Sequence, residues 1–89
     1  MTAPLDTPSH GQILLARLEP LAVDAEQAAA LLGMSRSMFY KMNESGQIGP
    51  MGRRFGKCVR WSVAELRAWA AAGMPPRHEW VAQRLSNLG

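Results

Sequence analysis

Two short segments with matching start and stop signals, set three residues apart, constrain this chain more than any other feature. Asp24 with Gln27 three positions on has the form of a capping box, in which carboxylate and amide side chain satisfy each other's backbone N–H groups. Ala25 to Leu32 then consists almost wholly of strong helix formers, and Gly33 stands where a helix closes on a left-handed residue. Ser35 repeats the start signal, since its hydroxyl can accept from a first-turn amide, and Gly46 repeats the stop. The spacing predicts a helix of two to three turns, the turn Gly33-Met34-Ser35, and a second helix from about Arg36 to Ser45. Val23 is placed to staple the first helix, whose apolar stripe is Ala28, Leu31 and Leu32. In the second, 100° per residue sets Phe39, Met42 and Met38 on one side, while Arg36, Ser37, Tyr40, Lys41 and Glu44 centre on the other.

The rest of the chain supplies what packs behind this pair. Gly49, Pro50, Gly52 and Gly56 punctuate a stretch that ends in the alternating run Lys57-Cys58-Val59-Arg60-Trp61, the pattern of a half-buried strand. A hairpin follows, with Ile48 to Met51 as incoming strand and a turn near Gly52 to Gly56 that puts Arg53 and Arg54 at its tip. Cys58 reads as a small buried hydrophobe, and Trp61 and Trp69 as core. Ser62 and Glu65 form a second capping box, after which Val63, Leu66, Trp69 and Ala70 recur at helical spacing until Gly73. Past Pro75-Pro76, a marginal fourth helix over Arg77 to Asn87 carries a stripe of Val81, Leu85 and Leu88, with Trp80 beside it; the favoured expectation is that it folds back on the core, the alternative that it pairs with another copy. Helix, tight turn, helix, hairpin, helix is the order of a winged helix-turn-helix, a mainly α fold with one small β-hairpin.

Length and charge set the limits. A chain of 89 residues holds one domain, whose folding buries ~60–65% of the unfolded surface. Residues 21–74 are its expected extent, with 75–89 as the C-terminal helix. Residues 1–20 form a flexible arm, with Pro4, Pro8, Gly11 and Pro20 around Ile13-Leu14-Leu15. The first ten residues are expected to be disordered, and the apolar patch either docks on the core or pairs as an edge strand. The formal net charge is +3, but it is unevenly placed. Between Ser35 and Trp61 lie Arg36, Lys41, Arg53, Arg54, Lys57 and Arg60 against Glu44 alone, a net of +5, which leaves −2 for the remainder. Such concentration favours a polyanionic partner.

Other chemistries drop away. One cysteine makes no internal disulfide, and His10 and His78 lack a second ligand at metal-binding spacing, so neither metal nor cofactor is expected. There is no nucleophile–base pair and no Gly-rich phosphate loop, so neither catalysis nor a small-molecule substrate is expected. Without a basic leader or an apolar run near the ~20 residues of a membrane span, the expected address is cytoplasmic, with no membrane contact.

The second helix presents its amino-terminal half, where free amides and the positive end of the helix dipole attract phosphate, and Arg36 and Lys41 add full charges. Tyr40 either meets phosphate through its hydroxyl or covers the hairpin, and Arg60 is either a structural cation or a phosphate contact. The competing reading is a protein-interaction adaptor that keeps this fold without binding DNA. Such adaptors usually lose the cations, whereas Arg36, Lys41, Arg53, Arg54 and Lys57 are all present.

The run Val23 to Lys41 resembles the opening of the excisionase and AlpA-like regulators, which are related in fold to the MerR-type DNA-binding domain. Gly46-Gln47-Ile48-Gly49-Pro50, the two wing arginines, and Val59-Arg60-Trp61-Ser62 leading to Glu65-Leu66-Arg67-Ala68-Trp69 extend the likeness over roughly Leu21 to Met74. The resemblance implies a regulator that binds double-stranded DNA, to control transcription or to assist excision, with itself, a recombinase or an RNA polymerase component as further partners. By position, Arg36, Ser37, Tyr40 and Lys41 match the family's major-groove helix, and Arg53 and Arg54 match its wing. Ser35, Lys57 and Arg60 are expected to bind DNA beside them. Met38 departs from the small polar residue expected at its position.

Overall fold

The first three helices start on the side chains that their capping signals name. In the computed structural model, which describes residues 19–88, the chain runs β1 (Ala22–Val23), α1 (Ala25–Leu31), α2 (Arg36–Glu44), β2 (Arg53–Phe55), β3 (Cys58–Ser62), α3 (Val63–Ala71) and α4 (Arg77–Leu88). Asp24 accepts from the Gln27 amide at 2.8 Å while Gln27 Oε1 accepts from the Asp24 amide at 3.1 Å, a complete capping box. Ser35 Oγ accepts from the Met38 amide, and Ser62 Oγ from the Glu65 amide, each at 3.1 Å. The expected second box forms only by half. The Glu65 carboxylate turns instead to α4, accepting from Trp80 Nε1 at 3.0 Å and pairing with Arg84 at 2.7 Å, a charge-assisted link that a surface cap does not match.

These helices also close alike. After α1, the Met34 amide donates to the Ala29 carbonyl at 2.9 Å and the Gly33 amide to the Ala30 carbonyl at 3.1 Å. Gln47 and Gly46 repeat the pair on Met42 and Asn43, as do Met74 and Gly73 on Trp69 and Ala70. This double closure satisfies carbonyls that a helix end otherwise leaves free, and its pivot needs a positive φ, 74° at Gly33, which glycine adopts without a Cβ clash. The turn that sets α2 against α1 is therefore fixed by backbone bonds.

Behind the helices lies a three-stranded antiparallel sheet with β3 at its centre. β1 adds a strand on one side, Val23 opposite Trp61, so Val23 is a buried sheet residue as well as the neighbour of the α1 cap. β2 pairs on the other, with Arg53 opposite Arg60, Arg54 opposite Val59 and Phe55 opposite Cys58. The hairpin is thus displaced from its expected register. Ile48 to Met51 are not its incoming strand, because Gly49 is buried against Trp69 of α3 and Trp80 of α4, and Pro50, buried next to it, has no N–H to give a ladder. The turn is Gly56-Lys57, with Gly56 at φ 62°, as a two-residue loop with glycine first requires. Cys58 sits beside it and is exposed, not buried.

The core joins Val23, Ala25, Ala28, Ala29, Phe39, Ile48, Trp61, Leu66, Trp69 and Trp80. On α1 the buried side chains are the small ones, which bring its backbone close to its neighbours; Leu32 is half-buried and Leu31, expected inside, lies out in solvent. α4 does fold back, but not through the predicted stripe. Trp80 is the buried anchor, while Val81 and Leu85 remain exposed because Trp80 and the Arg84–Glu65 pair set the rotation of the helix. The side chain of Leu88 lies outside the described residues, as do the arm residues 1–18 with Ile13-Leu14-Leu15.

Gly49 shows how tightly the α2–β2 connection is held. A Cβ there would stand 2.5 Å from Trp69 Nε1 and 2.9 Å from Trp80 Cβ. Trp69 cannot easily yield, since the same Nε1 donates to the Pro75 carbonyl at 2.7 Å. Gly49→Ala is expected to cost ~1–3 kcal/mol, lowering the thermal midpoint by about 4–8 °C for each kcal/mol. A melting curve superimposable on that of the unmodified protein would contradict this packing.

Candidate nucleic-acid interface

α2 differs electrostatically from every other described helix. α1, α3 and α4 carry Glu26, Glu65 and Glu79 in their first turns, where the dipole favours an anion. The first turn of α2 has no acidic residue and starts with Arg36. For the isolated protein that arrangement is mildly unfavourable. Its positive end is completed by backbone: Ser35 Oγ takes the Met38 amide, and the Ser35 carbonyl takes that of Phe39, so the Arg36 and Ser37 amides have no acceptor among the described residues. An incoming anion meets two free N–H groups and a guanidinium together.

Phe39, fully buried, orients this surface. It meets Trp61 of β3 edge-to-face, with ring centroids 5.0 Å apart and planes at 82°. Arg36, Ser37, Tyr40 and Lys41 are consequently exposed, and Tyr40 fills two places at once. Its ring stands edge-on to Phe39 at 6.3 Å, and the Arg36 guanidinium lies 5.8 Å from the ring centre. That cation–π contact holds the Arg36 charge close to the helix surface. Met38, expected to point inward with Phe39 and Met42, is half-exposed, because the core covers only a narrow stripe of α2 centred on Phe39.

The wing cations are arranged differently from expectation. Successive strand residues face opposite ways, so Arg53 and Arg54 cannot share a face, and neither is at the tip. The tip is Gly56-Lys57, which makes Lys57 its cation. Arg53 shares a face with Arg60, directly opposite on β3, and with Phe55, over whose ring it lies at 5.7 Å. Arg54 shares the other face with Val59. Two like charges paired across a ladder oppose each other. Arg60 is half-buried and donates from Nη1 to its neighbour's carbonyl at 3.0 Å, which leaves guanidinium donors over.

Sequence reasoning missed Arg77. It opens α4, an unfavourable place for a cation, and turns away to the far end of α2, where Nε donates to the Ile48 carbonyl at 3.1 Å and Nη2 to Asn43 Oδ1 at 2.7 Å. Its position at a helix start was the one available signal, and its partners lie about thirty residues away. Asn43, Tyr40, Arg77 and the wing residues Gly52 and Val59 line a cleft of about 300 Å³ between reading helix and wing. A larger apolar groove, about 720 Å³, runs between α1 and α3 past Leu21 and Leu31, away from the cationic face.

Fold and face together define a winged helix-turn-helix that binds DNA. Residues 23–74, more than half of the chain, match the family model described as a helix-turn-helix domain, and the chain belongs to that excisionase/AlpA-like family. The family is a DNA-binding one and not enzymatic. No curated protein matches the chain. Among the described residues, no helix is long and apolar enough to cross a membrane.

Proposed function

We propose that the protein binds specific double-stranded DNA sites, as a transcriptional regulator or an excisionase-type factor that directs recombination, with α2 in the major groove and the wing along the backbone. The observation that carries this is the first turn of α2. Its two free amides, Arg36 held over Tyr40, and Lys41 stand on one exposed surface. Ser35 acts as the cap that orients those amides, and Ser37, Tyr40 and Lys41 are within the same face. Met38 adds an apolar group of the kind that meets a thymine methyl. Arg53, Arg54, Lys57 and Arg60 supply phosphate contacts that position the module without reading bases. An adaptor role has no use for paired arginines across a two-strand wing.

Gel shifts on DNA flanking the protein's own gene, against a scrambled duplex, test the division of labour. Arg36→Ala is expected to weaken the preferred site by ~1–3 kcal/mol and scrambled DNA by less, so that the preference between the two narrows. Arg53→Ala combined with Arg54→Ala should weaken both duplexes alike, and the two single variants should differ, since these side chains leave the wing on opposite faces. Lost preference in the wing variant and preserved preference in Arg36→Ala would reverse the assignment.

A further inference from the structure

α4 lies outside the residues that match the helix-turn-helix family, yet it is bonded directly to the helix proposed to read DNA. The Arg77 amide donates to the Gly46 carbonyl at 2.9 Å, its Nε to the Ile48 carbonyl at 3.1 Å, and its Nη2 to both the Asn43 carbonyl at 3.3 Å and Asn43 Oδ1 at 2.7 Å. One residue therefore holds the final turn of α2 and the first residues of the connection to the wing. A guanidinium at this end of α2 also complements the negative pole of its dipole.

The bond to Asn43 has a second consequence. Free to rotate, an amide side chain presents either its oxygen or its nitrogen. With Oδ1 engaged by Arg77, the nitrogen is left over, and Nδ2 has no acceptor among the described residues. Asn43 and Tyr40 both line the cleft between α2 and the wing, and at 100° per residue Arg36, Tyr40 and Asn43 fall along one flank of the helix. A donor fixed there adds to the donors already on that flank.

We infer that Arg77 is a positioning residue for DNA binding: it locks the α2–wing junction and turns Asn43 into a fixed hydrogen-bond donor on the DNA-facing flank, so the appended helix α4 is a working part of the DNA-binding surface. This rests on the reading that α2 enters DNA. Positioning and direct contact differ in their salt signature. A cation that neutralises a phosphate contributes close to one unit to the slope of log K against log salt, whereas a residue that only holds other groups in place contributes none.

The test uses the full chain and its Arg77→Ala, Arg77→Lys and Asn43→Ala variants, with affinity for the flanking-gene duplex measured from about 50 to 200 mM salt well below each melting temperature. Hydrogen exchange of the Asn43 to Ile48 amides is followed on the free proteins. Arg77→Ala is expected to bind about tenfold more weakly at every salt concentration with an unchanged slope, and to exchange faster at the junction. Arg77→Lys, which keeps the charge but lacks the planar fork, should recover only part of the affinity. Asn43→Ala, which leaves Arg77 its backbone acceptors, should weaken binding with less change in exchange. Unchanged affinity in Arg77→Ala would reduce the Arg77 bonds to a purely structural role and overturn the inference alone. A slope shallower by about one would overturn it in favour of direct phosphate contact. Failure of the unmodified chain to bind any duplex would overturn the reading of α2 and the inference with it.

Discussion

Phe39→Ala is expected to remove a large share of the stability of the domain. Phe39 is fully buried, packs edge-to-face on Trp61 and meets Tyr40 edge-on as well. It is also the single side chain of α2 that is wholly inside the core. Truncation deletes the aromatic pair and leaves a cavity that neither the capped helix nor the paired strand is free to fill, at a cost of ~3–5 kcal/mol. A domain of this size commonly has a total stability of about 5–10 kcal/mol. Phe39→Leu keeps much of the volume and should cost substantially less. Urea denaturation followed by circular dichroism checks both. A midpoint for Phe39→Ala close to that of the unmodified protein would mean that α2 is held by its turn and by Arg77 alone.

What could be read from the sequence was the chemistry that acts between near neighbours. Asp24 with Gln27, Ser35, Ser62, Gly33, Gly46 and Gly73 mark helix ends because each cap is made within five residues. Trp61 and Trp69 followed as core from size and spacing. What escaped it depends on partners far along the chain. The wing register turned on which of several glycines makes the two-residue turn, and only the pairing of Arg53 with Arg60 shows that it is Gly56. Glu65 could cap its own helix or meet α4, and Trp80 with Arg84 decides that contest from fifteen and nineteen residues away. Periodicity identified apolar stripes at Leu31 and at Val81 with Leu85, but a stripe states only that a face is apolar. Whether anything covers it depends on the geometry of the neighbouring elements, which here bury Ala28 of the first stripe but not Leu31, and Trp80 in place of Val81 and Leu85.

The same contrast holds for the interface. The cations of α2 were legible because helical spacing places Arg36, Tyr40 and Lys41 on one exposed face once Phe39 is known to be inside. The wing arginines were legible as charges but not as directions, since a one-residue change in register exchanges the faces of a strand. Two arrangements on this face give up a little stability: an arginine in the first turn of α2 and two arginines opposite each other across the wing. Both disfavour the free protein, and a line of phosphates would relieve both.

A steep dependence on salt should result. With about five phosphates neutralised by the cations of α2 and the wing, log K should fall against log salt with a slope of about −4 to −5. Raising salt from about 50 to 200 mM then weakens binding by roughly 250- to 1,000-fold. Charge that merely happened to be positive overall would give a shallow slope. Replacing wing cations with neutral residues should make the slope shallower by nearly one unit for every phosphate that is no longer neutralised, whatever the sequence of the duplex.

The most direct measurement is therefore a fluorescence-anisotropy titration of the full chain with a labelled duplex from its own gene's flanking DNA, repeated at several salt concentrations between about 50 and 200 mM. A linear fall in log K with a slope between about −4 and −5 is the result expected if the cationic face of α2 and the wing binds DNA through its phosphates. An affinity that does not change across that range, or no binding at its lowest salt concentration, would contradict it.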